Sequence, residues 1–174
     1  MFYKPEHFIL DAGHTFVYFE YNHFGFSRQT SRFDKISGQV QLDFKSNTGC
    51  VNIEIDTASV STGSEIFNSH IQGEDFFDTS HYPIASFTSN KIEFENEKIT
   101  TLHGVLTIKD ICEHVTLDIV HFEHGKHPIT GKEYCGANAV AVVKRSDFNM
   151  GKYAPQISDD VIIKVAIEAS KAEL

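Results

Sequence analysis

Tryptophan is absent from this chain of 174 residues, and it has only 4 prolines and 3 cysteines. With so little proline, and 11 glycines scattered without a period, the sequence is neither collagenous nor a low-complexity linker. Cys50, Cys112 and Cys135 lie far apart and are odd in number, which excludes a complete disulfide framework and any CxxC metal pair. No uncharged apolar stretch approaches the ~18 residues that a membrane-crossing helix needs, so stable membrane insertion is not expected. Cations are scarce too: 15 Lys and Arg face 24 Asp and Glu, a net charge of −9 with His neutral. Such a surface repels nucleic-acid phosphates and anionic bilayers, and no local basic patch offsets it. The start, Met1 to Ile9, has no continuous apolar segment and carries Pro5 and Glu6. It does not read as a secretory signal, so the chain either stays in the cytosol or has lost a leader.

What the chain does have is flat apolar surface, with 15 Phe and 6 Tyr among 41% hydrophobic residues. Residues 1–174 read as one domain, without a composition shift, linker or internal repeat, and a chain of this length removes about 70% of its unfolded surface from water. Period-2 alternation dominates. Val17, Phe19 and Tyr21 alternate with Tyr18, Glu20 and Asn22, and Val51, Ile53 and Ile55 with Asn52 and Glu54. The same habit recurs at Val161, Ile163, Val165 and Ile167, the pattern of half-buried antiparallel strands. About eight strands are predicted: 7–23, 32–44, 49–55, 84–94, 98–109, 114–123, 134–146 and 159–170. Glu95-Asn96-Glu97 and Lys109-Asp110 read as hairpin turns, and Gly38 as a bend inside a strand. Between Ser61 and Asp78 the spacing of Ile66, Phe67, His70 and Ile71 predicts a single inserted helix over about 62–73, with Ser61, Thr62 or Ser64 as N-cap and Gly73 as stop. Many strands with one helix imply a mainly β, closed or nearly closed antiparallel barrel, because closure removes exposed edges.

Catalytic signals are sparse. There is no GxSxG elbow, GxGxxG or P-loop. Asp147 and Asp11 beside His14 are candidate acids, but a salt bridge or turn cap is the commoner use of such residues. Of the ten histidines, His121, His124 and His127, with Glu123 among them, have the most regular spacing. A metal-dependent hydrolase or isomerase built on them is the enzymatic alternative, although HxxH on a strand end sends the two rings to opposite faces. His23 continues the parity of Phe19 and Tyr21, and is either a hydrogen-bonded rim residue or a polar group inside a tunnel. The aromatic set Phe19, Tyr21, Phe33, Phe67, Phe76, Phe77, Phe87 and Phe148 either fills a core or lines a cavity. An eight-stranded barrel is wide enough for side chains or for one slender ligand. A barrel filled by its own side chains would be a structural, stress-type protein without a ligand.

Several stretches together resemble the YceI-like family. They are Asp11, His14, Val17, Phe19, His23 and Gly25; Thr62-Gly63 through Ser69-His70-Ile71; Asp75-Phe76-Phe77-Asp78; Tyr82-Pro83 and Phe87; Gly104-Val105-Leu106-Thr107-Ile108; and Arg145-Ser146-Asp147-Phe148. They run in order from about residue 7 to 171. The resemblance implies a lipocalin-like extended barrel around a long apolar cavity that binds polyisoprenoid or other long-chain lipids without catalysis, metal or catalytic cofactor, often in a homodimer and in many bacteria in the periplasm. It implies a bound isoprenoid or acyl chain in contact with Phe19, Tyr21, Phe33, Phe67, Ile71, Phe76, Phe77, Phe87, Leu106 and Phe148, with His23, His70 and Tyr21 as polar groups at the mouth. Ser31, Thr15 and Asn149 depart from the usual family residues, which bears on the ligand rather than the fold. Asn149 tolerates positive φ, so its turn is expected to survive. Phe2, Tyr3, Phe24 and Phe26 are expected to form an apolar patch that a two-fold partner covers.

Overall fold

The computed structural model describes residues 4–173. In chain order it contains β1 (Glu6–Leu10), a 3-10 turn (Ala12–His14), β2 (Phe16–His23), β3 (Ser27–Phe33), β4 (Ile36–Asp43) and β5 (Thr48–Asp56). A second 3-10 turn (Thr57–Ser59), β6 (Val60–Ser61) and α1 (Glu65–Ile71) follow. The remainder is β7 (Ile84–Glu95), β8 (Lys98–Ile108), β9 (Ile111–Lys126), β10 (Glu133–Lys144), a third 3-10 turn (Arg145–Phe148) and β11 (Asp160–Lys171). Pairing is antiparallel in the order β1-β4-β5-β7-β8-β9-β10-β11, and β11 returns to β1 through Phe8↔Lys171 and Leu10↔Ala169. Eight strands therefore close a barrel, with one α-helix at one end.

The eleven strands of the described residues make eight staves because three staves are broken, into β1 and β2, β3 and β4, and β5 and β6. β11 pairs with β1 at its C-terminal end and with β2 over Ala166↔Phe16 to Ile162↔Glu20, so β1 and β2 form one interrupted stave. The predicted continuous strand 7–23 is corrected accordingly. Asp11 accepts from the Gly13 amide at 3.0 Å and caps the 3-10 turn between the halves, a local bond that competes with the ladder. The predicted strand 32–44 likewise begins earlier, as β3 at Ser27, and breaks at Asp34-Lys35 before β4. β3 pairs with β2 on one side and β6 on the other, beyond the closed part of the barrel.

Turn chemistry agrees with the sequence. Asn96 and Glu97 (φ 50° and 62°) and Lys109 and Asp110 (φ 53° and 61°) form two-residue hairpin connections with both central residues at positive φ, the geometry that matches strand twist. Gly38 has φ 148°, and a Cβ there would run into the Asn52 carbonyl oxygen of β5. Asn149 takes φ 56° and ends the third 3-10 turn, as expected for its residue type. α1 is shorter than predicted because its caps lie inside the window. Ser64 is the N-cap, Asn68 Oδ1 accepts from the Thr62 amide (2.7 Å) and hydroxyl (2.8 Å), and Gly63 is left-handed at φ 87°. Among the described residues no helix is long and apolar enough to cross a membrane.

Candidate functional site

The inward side chains do not fill the barrel. They enclose an apolar cavity of about 540 Å³ running from the helix end down toward Phe122 and Cys135. Phe19, Tyr21, His23, Phe33, Phe67, His70, Ile71, Phe76, Phe77, Phe87, Leu106 and Phe148 all reach its wall. Strand parity explains Phe19, Phe33, Phe87 and Leu106, whereas Phe148 comes from the third 3-10 turn; all five are buried and reach the wall from different elements. Phe77 arrives from the loop after α1 and stands edge-on to Phe19 (6.0 Å between centroids) and Phe33 (5.1 Å), closing the upper barrel with a ring cluster. α1 contributes Phe67, His70 and Ile71, while Ile66 on its other face is 83% exposed. The His70 ring packs against Phe76 at 5.2 Å and the His23 ring stands edge-on to Phe24 at 4.7 Å. Both histidines therefore sit at the mouth.

Sequence reasoning missed four contributors. Thr15 is fully buried at the stave break, donating its hydroxyl to the Glu168 carbonyl (3.3 Å) while facing the cavity. Tyr153 and Ile157 come from the irregular segment between the third 3-10 turn and β11, where no periodicity announces an inward face. Arg145 is the fourth, and it is buried. Its guanidinium donates to the carbonyls of Ser158 (2.9 Å), Lys152 (2.9 Å), Ile157 (2.7 Å) and Met150, binding the 149–159 segment over the barrel end. Burial draws its pKa below the ordinary guanidinium value against the attraction of Asp159. Among the described residues it is the one Lys, Arg, Asp or Glu on the cavity wall, and its hydrogen bonds are directed at backbone.

Two lysines fasten the loops around the mouth. Lys109 Nζ, from the β8–β9 turn, donates to the carbonyls of Glu74 and Asn149, both at 3.2 Å. Lys152 pairs with Asp75 at 2.6 Å, which holds the Asp75 carboxyl below its usual pKa. At the far end the Cys135 thiol lines the cavity, and burial pushes its pKa up to about 12.

The enzymatic candidates do not assemble into one group, although Asp11 and His14 pair at 3.0 Å on the outside of the barrel. Asp11 caps its turn, and Asp147 is exposed. The His124 ring stacks on Phe44 at 4.5 Å, whereas His127 Nδ1 accepts from the Ile129 and Thr130 amides (3.2 and 3.3 Å) as a loop cap. Among the described residues His121, His124 and His127 do not form a three-donor group.

Phe24 and Phe26 are 47% and 89% exposed, and Phe24 borders the cavity with Phe67 and Tyr153. Phe2 and Tyr3, expected to join that patch, lie outside the described residues.

Comparison with known proteins agrees with this architecture. A family model described as YceI-like domain matches residues 8–169. The protein YceI of Escherichia coli is 30% identical over 159 residues, covering 91% of this chain and 82% of the relative. Burkholderia cenocepacia BcnA superposes with a TM-score of 0.79 at 28% identity, covering 91% of this chain and 98% of that one. A Saccharophagus degradans structure described as a polyisoprenoid binding domain shares the fold, with a TM-score of 0.71 at 17% identity, covering 95% and 98% of the two chains. From matched sequence, barrel closure and shared architecture together, the chain belongs to the YceI-like family.

Proposed function

We propose that this protein binds one long-chain lipid in the barrel cavity and stores or carries it, without chemical change to the ligand. The observation that supports this reading is the 540 Å³ apolar cavity itself. A barrel plugged by its own side chains would leave no such volume, and volumes of 300–1,000 Å³ are typical of ligand sites. Each methylene moved from water into the cavity contributes up to about 0.8 kcal/mol, so a tail of ten or more groups binds without directional contacts.

The polar end of the ligand is neutral. Arg145 is committed to four carbonyls, leaving an ionised carboxylate or phosphate no free cation on the wall among the described residues, and burying an unpaired charge is costly. Tyr21, His23 and His70 offer hydrogen bonds to a carbonyl or hydroxyl. An isoprenoid quinone, a polyprenyl alcohol or a fatty-acyl amide therefore fits better than a free fatty acid. The Saccharophagus degradans relative, described as polyisoprenoid-binding, is consistent with that class. Organic extraction of purified protein followed by mass spectrometry is expected to release one such lipid per chain. Absence of lipid from repeated preparations, together with no uptake of added quinones or acyl amides, would overturn the reading.

The exposed Phe24 and Phe26 favour a homodimer paired at the helix end. Light scattering that returns one 19.6 kDa mass from micromolar to millimolar concentration would refute it. Family habit favours the periplasm, to be tested by cell fractionation of the untagged native protein. Recovery with cytosolic markers would refute it.

A further inference from the structure

A second group of donors lies outside the barrel, on the face opposite the cavity wall of β11. Asp11, His14 and Glu168 each offer one ligand atom, and these atoms lie within 4.8 Å of one another. His14 Nδ1 stands 3.0 Å from Asp11 Oδ2 and 3.7 Å from Glu168 Oε2. Two ligand atoms held about 2.1 Å from a tetrahedral zinc ion are about 3.4 Å apart, a spacing these two distances bracket.

The backbone bearing the donors is fixed on both sides. The Asp11 amide donates to the Glu168 carbonyl at 2.8 Å, and the His14 amide to the Asp11 carbonyl at 3.1 Å. The second Asp11 oxygen, Oδ1, is occupied by the Gly13 amide, which leaves Oδ2 aimed at the imidazole. The donors therefore need only side-chain adjustment to converge. Beside them a shallow outer groove crosses β11, β10 and β9. Gly136, Asn138 and Ala166 lie along it, His14 and Glu168 stand on one bank, and His121, Glu123 and His127 on the other. The groove leaves room for a water or an anionic ligand on the open side of an ion.

We propose that Asp11, His14 and Glu168 form a surface site for a divalent first-row transition ion of the zinc type, with its remaining coordination open to this groove. One imidazole with two carboxylates suits zinc, whereas calcium and magnesium favour oxygen donors alone. Two carboxylates balance the charge of the ion, and the net charge of −9 raises the local concentration of cations.

The test uses the full, untagged chain after exhaustive chelation, titrated with zinc chloride against a chromophoric chelator and, separately, with cobalt chloride followed by visible absorbance. One high-affinity equivalent per chain is expected. Glu168→Gln and His14→Ala are expected to weaken it at least tenfold and to abolish the cobalt spectrum. The double variant His121→Ala, His127→Ala is expected to bind as the parent does, showing that histidine content is not the cause. Each variant is checked for an unchanged thermal transition, with Glu168→Gln as the milder change. Equal affinity in parent, Glu168→Gln and His14→Ala would overturn the proposal, as would only weak uptake at several sites per chain.

Discussion

Substitution Ala139→Phe tests whether the cavity sets ligand length. Ala139 is 5% exposed, lies on β10 between Ile119 of β9 and Val165 of β11, and faces the cavity with both neighbours. A methylene occupies about as much space as a water molecule, roughly 30 Å³, so 540 Å³ holds about eighteen chain groups. A phenyl ring adds six carbons at mid-barrel and leaves room for about twelve. At about 0.8 kcal/mol per group, an eighteen-carbon ligand loses up to about 5 kcal/mol, between three and four powers of ten in affinity. A twelve-carbon ligand loses little. Calorimetric or fluorescence-displacement titration with neutral acyl amides of 8 to 20 carbons is expected to show affinity rising with length. The plateau should fall near eighteen carbons in the parent and near twelve in the variant. Because the ring enters open space, the ligand-free variant is expected to melt higher, at about 2–4 °C per kcal/mol gained. A plateau that stays in place, or a variant destabilised by the 1–3 kcal/mol typical of overpacking, would refute the reasoning.

Three further outcomes follow from individual residues. Arg145→Met strips four carbonyls of their donor and is expected to cost about 3 kcal/mol or more by urea denaturation, with Arg145→Lys intermediate; parent-like stability would contradict its role. At pH 8 a maleimide is expected to label exposed Cys112 in the native protein and to reach Cys135, with its thiol pKa near 12, only after unfolding, as read by mass spectrometry. The hydrogen bond from His81 to Asp78, then the Asp78 charge, raises the His81 pKa. Its small stabilising effect is therefore full below the ordinary histidine value and fades as pH rises through the raised one. NMR titration should show Asp78→Asn returning His81 toward 6.5.

The parts of this fold that were legible in the sequence are those where one strand face is wet and the other dry. Parity took Phe19 to the cavity wall, the aromatic set and the family resemblance added Phe87 and Leu106, and the residue pairs at 96–97 and 109–110 announced their turns. β3 was largely illegible because Ser27, Arg28, Gln29 and Thr30 are all exposed, so no alternation is imposed on that half of the strand. The stave break at Asp11 was hidden because a single capping carboxylate causes it within an otherwise regular run. Tyr153, Ile157 and Arg145 escaped for a related reason: their positions depend on hydrogen bonds between a guanidinium and distant carbonyls, which leave no periodic trace. The helix was found but overextended, since its caps, Thr62 and Ser64, resemble a first turn.

If the cavity holds a lipid as proposed, the lysine contacts that join Glu74, Asp75 and Asn149 around the mouth would separate how fast it exchanges from how tightly it is held. The hold on the proposed ligand would be apolar and nearly indifferent to ionic strength, whereas the exposed Lys152–Asp75 ion pair contributes about 0–1 kcal/mol and is screened by salt. Added sodium chloride is therefore expected to speed uptake and release together in stopped-flow measurements while leaving the equilibrium constant nearly unchanged. Such a carrier would keep the same cargo preference in dilute and concentrated surroundings, and would differ between them only in how long each lipid stays aboard.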